Sequence, residues 1–333
     1  MTASRRDFLA ILAGLPVVFA GRSLSSQAAL TSTNPNDLKV TNYNGDGKYL
    51  ITEGKTLLVE LSFPEEVDDP FGSLTVHIQP DSAGGQELTE PQPLFFYRTG
   101  DGRSRRVFLT APLDVVEGSY TANIGANHQA AKSQWDIKYF IRRGSYRESA
   151  LTVNKSFSEP TPEIAARMRH DFETVRDLYK QRSERRWTRP FIRPVPGPDK
   201  DNFGDKRTYN KTKHLRHAGL DYTAPMATSV SAINDGIVVL SGEQWASGET
   251  ICLDHGGGVF SKYMHLSRRN VREGDIVKRG DIIALSGNSG GQKPPPHLHL
   301  DLVVSGVHVD PKDFMRVASD LLAFEAQDKK TKG

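Results

Sequence analysis

The sequence predicts a mainly β chain of two strand-rich domains joined by one amphipathic helix. Three observations carry that reading. Short runs of alternating apolar and polar residues, separated by turn residues, fill most of both halves. Between them one stretch changes to a period of three to four residues. At 333 residues the chain also exceeds what one ordinary hydrophobic core organises, so a division is expected.

Composition narrows the class without naming a partner. With 37% hydrophobic and 25% charged residues and a formal charge of +3, the chain reads as a soluble globular protein. So mild a basic excess is ordinary solvated surface and does not suggest nucleic acid. Cys252 is the single cysteine, which excludes an internal disulfide, a Cys-rich zinc knuckle and a dithiol redox pair. Its neighbours Ile251 and Leu253 make it a small core residue.

In chain order, the first element is an address. Ser4, Arg5 and Arg6 precede an apolar run from Phe8 to Ala20, with small residues around Ser26, Gln27 and Ala28. The pattern resembles a twin-arginine export signal over residues 1–28, and the run is short of the roughly 20 apolar residues a membrane span needs. The resemblance implies a periplasmic mature protein, beginning near Ala29, with no membrane span.

Residues 33–155 carry period-two runs: Thr56–Leu61, Ser73–Ile78, Arg106–Leu109, Ser119–Ile124 and Ile137–Ile141. At this spacing they predict an antiparallel β-sandwich. Arg103, Arg105 and Arg106 follow Gly100-Asp101-Gly102 and are expected on an exposed hairpin. Residues 160–185 form the connecting helix, because Ile164, Met168, Phe172, Val175, Leu178 and Tyr179 fall on one face after Thr161 as N-cap and Pro162 at the first helical position. Pro190, Pro194, Pro196, Gly197 and Pro198 predict a stiff linker. Residues 187–318 form the second strand-rich domain, in which Thr250–Asp254 and Val259–His265 flank His255-Gly256-Gly257-Gly258 as a hairpin. A short helix from Asp313 to about Ala326 is expected near the end. Residues 319–333 count as a C-terminal tail whose polar end, Lys329–Gly333, is disordered.

Seven of the ten histidines lie between residues 214 and 308, so imidazole chemistry belongs to the second domain. In a strand over His297–Val303, alternation puts His297, His299 and Asp301 on one face and Leu298, Leu300 and Leu302 on the other. Alone, such a face reads as a polar, solvated one rather than as a site. His217-Ala218-Gly219-Leu220-Asp221 adds a nitrogen and a carboxylate ligand, separated by residues small enough to let them converge. Zinc takes N and O ligands in tetrahedral sites, and a catalytic site leaves one position open. His217, Asp221 and one histidine of the pair make such a set.

The order His-x-x-x-Asp, Tyr-x-His-Leu and His-Leu-His resembles the M23 family of zinc metallopeptidases, of the LytM and lysostaphin type. The resemblance runs from Phe203-Gly204-Asp205-Lys206-Arg207 through Asp310-Pro311. It implies an antiparallel β-sheet metallopeptidase domain holding one Zn2+ with His217, Asp221 and His299, and a catalytic pair, His265 and His297. The sandwich before a long helix, including Pro112–Tyr120, resembles the Ig-like domain of Gram-negative members. Two departures stand out. Pro294-Pro295-Pro296 precedes the His-Leu-His segment where members commonly have threonine-glycine-proline. Leu300-Asp301 follows it in place of an aromatic and a glutamate. Asp301 reads either as a carboxylate orienting an imidazole or as a surface acid. His214, His255 and His308 fall outside the motif positions and are read as turn or surface residues.

The resemblance implies a metalloendopeptidase acting on peptidoglycan stem-peptide cross-links, with D,D specificity, and an envelope regulatory protein as a partner. The competing reading is a non-catalytic regulator that activates a cell-wall amidase, against which the complete five-residue set argues. A third makes the chain a wall-binding module with a structural zinc, which would need a fourth protein ligand.

Overall fold

The computed structural model describes residues 39–42, 50–62, 74–80, 96–98, 104–128, 131–291 and 295–330. Residues 1–28, read above as an export signal, Arg103, Pro294 and the last residues of the tail lie outside them. The chain is mainly β, and its described residues divide into two compact units: those from 39 to 144 with 316–330, and those from 145 to 315. No helix among the described residues is long and apolar enough to cross a membrane.

Among the described residues the N-terminal unit has eight strands: β1 (Lys39–Asn42), β2 (Leu50–Thr52), β3 (Thr56–Ser62), β4 (Leu74–Pro80), β5 (Phe96–Arg98), β6 (Ser104–Thr110), β7 (Gly118–His128) and β8 (Ala131–Arg142). They form two four-stranded sheets, ordered β1-β3-β6-β5 and β2-β8-β7-β4. Every pairing is antiparallel except β2 with β8, which is parallel and so departs from the expected antiparallel sandwich. Leu57, Leu58, Val59, Leu61, Val107 and Leu109 form the centre of the core. Tyr120, near the start of β7, donates its hydroxyl to the Val116 carbonyl at 2.5 Å and fixes the corner before that strand.

Strand β6 is buried along its whole length, so Arg105 and Arg106 do not decorate an exposed hairpin. Arg106 donates to Glu60 at 2.9 Å and to Asp328 at 2.7 Å, and its guanidinium lies over the Phe324 ring. Phe324 and Asp328 belong to a terminal helix of 20 residues, Pro311–Lys330, which extends beyond the expected Ala326. Val317, Ala318 and Leu321 are buried at helical spacing, and that apolar stripe continues the helix through the stretch read as a tail.

The C-terminal unit begins with β9 (Glu148–Leu151), α1 (Lys155–Ser158) and α2 (Pro162–Leu178). Thr161 caps α2 by accepting from the Ile164 N–H, with Pro162 at the first position. Its buried face seats Met168 against Phe157 and Tyr209, and Val175 and Tyr179 against Cys252, Phe260 and Val303; Phe172 stays exposed. The Pro-rich segment after it is packed on the sheet. Trp187 is fully buried, and backbone bonds run from Ile192 to Ile233, Ser231 to Pro194 and Thr223 to Pro198.

The remaining strands are β10 (Lys206–Tyr209), β11 (Lys213–Arg216), β12 (Leu220–Tyr222), β13 (Ser229–Ser231), β14 (Gly236–Gln244), β15 (Gly248–Asp254), β16 (Val259–Arg269), β17 (Ile276–Val277), β18 (Ile282–Ser286), β19 (Leu298–Val304) and β20 (Val307–His308), with the C-terminal helix as α3. One sheet, β11-β10-β9, pairs β9 and β10 in parallel. The larger one follows the path β12-β19-β16-β15-β14-β17. Strand β19 therefore lies between β12 and β16, and this neighbourhood builds the site.

Candidate metal centre

Strand β19 keeps strict alternation. Leu298, Leu300 and Leu302 are fully buried on the core side, while His299 and Asp301, with His297 just before the strand, line a cleft of about 520 Å3 on the other. Register does the next step. His299 is paired with Asp221 on β12 and with Met264 on β16, and Asp301 with Lys262, so these side chains share rows across the sheet. His217 enters from the turn before β12. That turn passes so close that a Cβ on Gly219 would lie under 3.0 Å from His299 Nε2, Asp301 Oδ1 and the Leu300 carbonyl.

The result is a triangle of ligand atoms. His217 Nε2 is 3.1 Å from Asp221 Oδ1 and 2.9 Å from His299 Nδ1, and His299 Nδ1 is 2.9 Å from Asp221 Oδ1. Hydrogen-bond partners assign the protons. His217 Nδ1 faces the Asn202 carbonyl at 2.7 Å and donates to it, leaving a lone pair on Nε2. His299 Nε2 faces Asp301 Oδ1 at 2.7 Å and donates there, leaving a lone pair on Nδ1. Three acceptors then face one another in a buried site, an arrangement that calls for a cation. A tetrahedral ion with arms of 2.0–2.1 Å has ligand edges of about 3.3 Å, close to this triangle, and N, N and O donors suit zinc.

The surrounding groups hold that triangle. Asp221 uses only Oδ1 for it, since Oδ2 accepts from Asn202 Nδ2 at 2.8 Å and Arg207 Nη2 at 3.0 Å. Burial pushes its carboxyl up, but the adjoining His217 and His299 outweigh that and hold it far below the carboxylate range. Asp301 is equally fixed. Its Oδ2 pairs with Lys262 at 3.1 Å, and Lys262 and His299 overcome burial to keep it ionised. Asp301 is thus no surface acid. For His299, burial opposes charge, yet Asp301 and Asp221 raise it to about 9, which again marks a place that demands positive charge.

The second pair faces the same cleft. His265 has φ +59°, a left-handed conformation uncommon outside glycine. Strict alternation along β16 would group it with Val259, Ser261 and Tyr263, which are fully buried. The break in register at this point turns it instead to the cleft beside Met264. Its Nδ1 donates to the Ser289 carbonyl at 2.8 Å, and His297 Nδ1 donates to Pro295 at 2.8 Å, so each presents Nε2. The rings are 4.9 Å apart, and His297 Nε2 is 3.6 Å from Asp221 Oδ1. Burial, then the charges of His297 and His299, push His265 down to about 3; burial also lowers His297. Both rings are neutral at pH 7 and able to accept a proton.

All five predicted residues therefore meet in one cleft. His214 does not; it is exposed on β11 and bonded to Thr208. His255 sits at its turn but is no surface residue: it is wholly buried between the Asp235 carbonyl and Ser261. His308 is partly buried, edge-on to Tyr179. The sequence reading gave no role to Asn202, Arg207, Lys262 or Ser289. Of these, only Arg207 lay in a segment whose motif could have singled it out.

Residues 215–311 match the model of the family described as Peptidase family M23. Among curated proteins, the peptidoglycan DD-endopeptidase ShyC of Vibrio cholerae is 36% identical over 112 residues, 33% of this chain and 26% of that protein. ShyA, a peptidoglycan DD-endopeptidase of the same organism, is 38% identical over 106 residues, 32% of this chain and 24% of that protein. The DD-carboxypeptidase/endopeptidase Mpg of Neisseria meningitidis is 34% identical over 119 residues, 34% of this chain and 27% of that protein. The chain thus spans about a quarter of the length of these relatives. A crystal structure from Pseudomonas aeruginosa, described as a candidate M23 peptidase, superposes with a TM-score of 0.56 at 21% identity, covering 79% of this chain and 94% of that one. At that identity the likeness speaks to fold alone.

Proposed function

We propose that this chain, whose residues 215–311 carry a domain of peptidase family M23, is a zinc-dependent endopeptidase that hydrolyses peptide cross-links of peptidoglycan. The observation that carries the reading is the convergence of three ligand-type atoms, from His217, Asp221 and His299, beside two imidazoles that present Nε2 to the same cleft. Zinc bound there would supply Lewis acidity and lower the pKa of a water toward about 7. His265 and His297 accept and return the proton: one lone pair takes it as the water attacks, and an imidazole N–H delivers it to the leaving amine. The N–H that either ring gains also faces the developing oxyanion. Asn202 and Arg207 fix Asp221, and Asp301 fixes His299, so that the ligands need not reorganise during the reaction.

The D,D specificity is supported by the relatives ShyC and ShyA, both peptidoglycan DD-endopeptidases, and Mpg, a DD-carboxypeptidase/endopeptidase, and an envelope location by the same relatives with the Arg5-Arg6 segment. The strand orders β1-β3-β6-β5 and β2-β8-β7-β4, with the Tyr120 corner, support an Ig-like sandwich for the N-terminal unit.

The test is incubation of the protein with purified sacculi, with and without a chelator, and identification of released muropeptides by mass spectrometry. Chelator-sensitive loss of cross-linked dimers is expected. Release of whole stem peptides would mark an amidase instead, and no release by a folded, zinc-loaded protein would overturn the proposal.

A further inference from the structure

The ionic groups lining the cleft do not balance. Each acid there has a cation: Asp221 has Arg207 at 3.0 Å, Asp301 has Lys262 at 3.1 Å, and Asp205 has Arg147 at 3.3 Å. Lys200 lines the same cleft and is exposed, and among the described residues no carboxylate lies within ion-pair distance of its ammonium. Its sequence neighbours do not supply one. Asp199 and Asp201 are both taken by Lys312, at 3.3 and 2.6 Å. The Lys200 backbone is nonetheless held, since its N–H donates to the Asp221 carbonyl at 2.8 Å and its own carbonyl accepts from Arg147. An exposed ammonium is therefore carried on a backbone anchored one hydrogen bond from a proposed metal ligand.

We infer that Lys200 binds a carboxylate of the substrate on the amine side of the scissile bond. The inference rests on the proposed cross-link substrate. In a D,D cross-link through a diamino diacid, the scissile nitrogen and a free carboxylate are attached to the same carbon, whereas the acyl-side D-alanine has no free carboxylate. An ammonium lining this cleft would meet that anion and fix which side of the amide faces the catalytic pair. Lys200 is then a determinant of specificity for carboxylated over amidated cross-links.

The test uses the full chain and two cross-linked muropeptide dimers that differ only in this group, the free carboxylate and the primary amide. The parent protein should cleave the carboxylate form with roughly tenfold higher kcat/KM, the scale of a hydrogen bond to a charged group. Lys200→Gln should bring the carboxylate form down to the rate of the amide form, and Lys200→Arg should restore most of the preference. Because the side chain is exposed, zinc content and thermal melting of the variants should match the parent. Cleavage of both dimers with the parent's ratio in Lys200→Gln overturns the role of Lys200 and leaves the peptidase reading intact. Failure of the zinc-loaded parent to cleave either dimer overturns the peptidase reading and this inference with it.

Discussion

Asp301→Asn tests how the site holds His299, a proposed metal ligand. The carboxylate stands 2.7 Å from His299 Nε2 and 3.1 Å from the Lys262 ammonium, and both of its ionic partners are largely buried with it. An asparagine keeps the shape and can still accept the Nε2 proton through its amide oxygen. It lacks the charge that makes Nδ1 a strong donor, and its NH2 would point at Lys262. Groups in this position typically carry 10–100-fold of metal affinity, about 1.4–2.7 kcal/mol. We therefore expect the zinc Kd to rise by roughly that factor, measured by competition with a chromophoric chelator at fixed pH. Lys262→Met added to Asp301→Asn removes the clash with the ammonium, so it should recover melting temperature without recovering affinity. A single variant whose Kd stays within about twofold of the parent would falsify the argument that Asp301 tunes His299.

Three further outcomes follow from the geometry. His217→Ala and Asp221→Ala should lose both bound zinc and turnover, while His297→Ala should keep most of its zinc and lose turnover; metal content by mass spectrometry beside a muropeptide assay separates the two classes. Gly219→Ala should damage the site as severely as loss of a ligand, because its Cβ would meet His299, Asp301 and the Leu300 backbone at under 3.0 Å, and a variant with normal zinc content would refute that packing. His255 is neutral in the fold with its pKa lowered from 6.5 to about 4, chiefly by burial, so its contribution to stability is complete above about pH 6.5 and is lost as the pH falls toward 4. That loss is about 3 kcal/mol. Urea unfolding across this window should show His255→Gln with a slope shallower by about one proton, though not flat, because His265 is depressed as well.

What the sequence revealed of this site divides along a physical line. The face shared by His297, His299 and Asp301 was legible because β19 is regular and its leucines fill the core side without exception. The need for a small residue at Gly219 was legible in kind, though the reason is the passage of His299 and Asp301 over the turn rather than a bend alone. Arg105 and Arg106 misled because the partner that buries Arg106 comes from more than 200 residues away, beyond the reach of any local pattern. The length of α3 was missed for a related reason: Val317, Ala318 and Leu321 are too few to mark a helix until the surface they bury against is known.

His265 is the case where a strand pattern alone points the wrong way. Its phase along β16 is that of Val259, Ser261 and Tyr263, all on the core side, and only a residue at φ +59° releases it toward the cleft. Such a conformation costs about 1–3 kcal/mol and persists where neighbours hold it. Here the backbone N–H bonds Ser247 at 2.9 Å and Nδ1 bonds Ser289 at 2.8 Å, fixing the main chain and the ring together. The strands that carry Asp221 and His299 need no such device, because register alone brings these two residues opposite one another. The strain therefore falls on the group proposed to move protons, whose ring must be aimed apart from the strand that carries it.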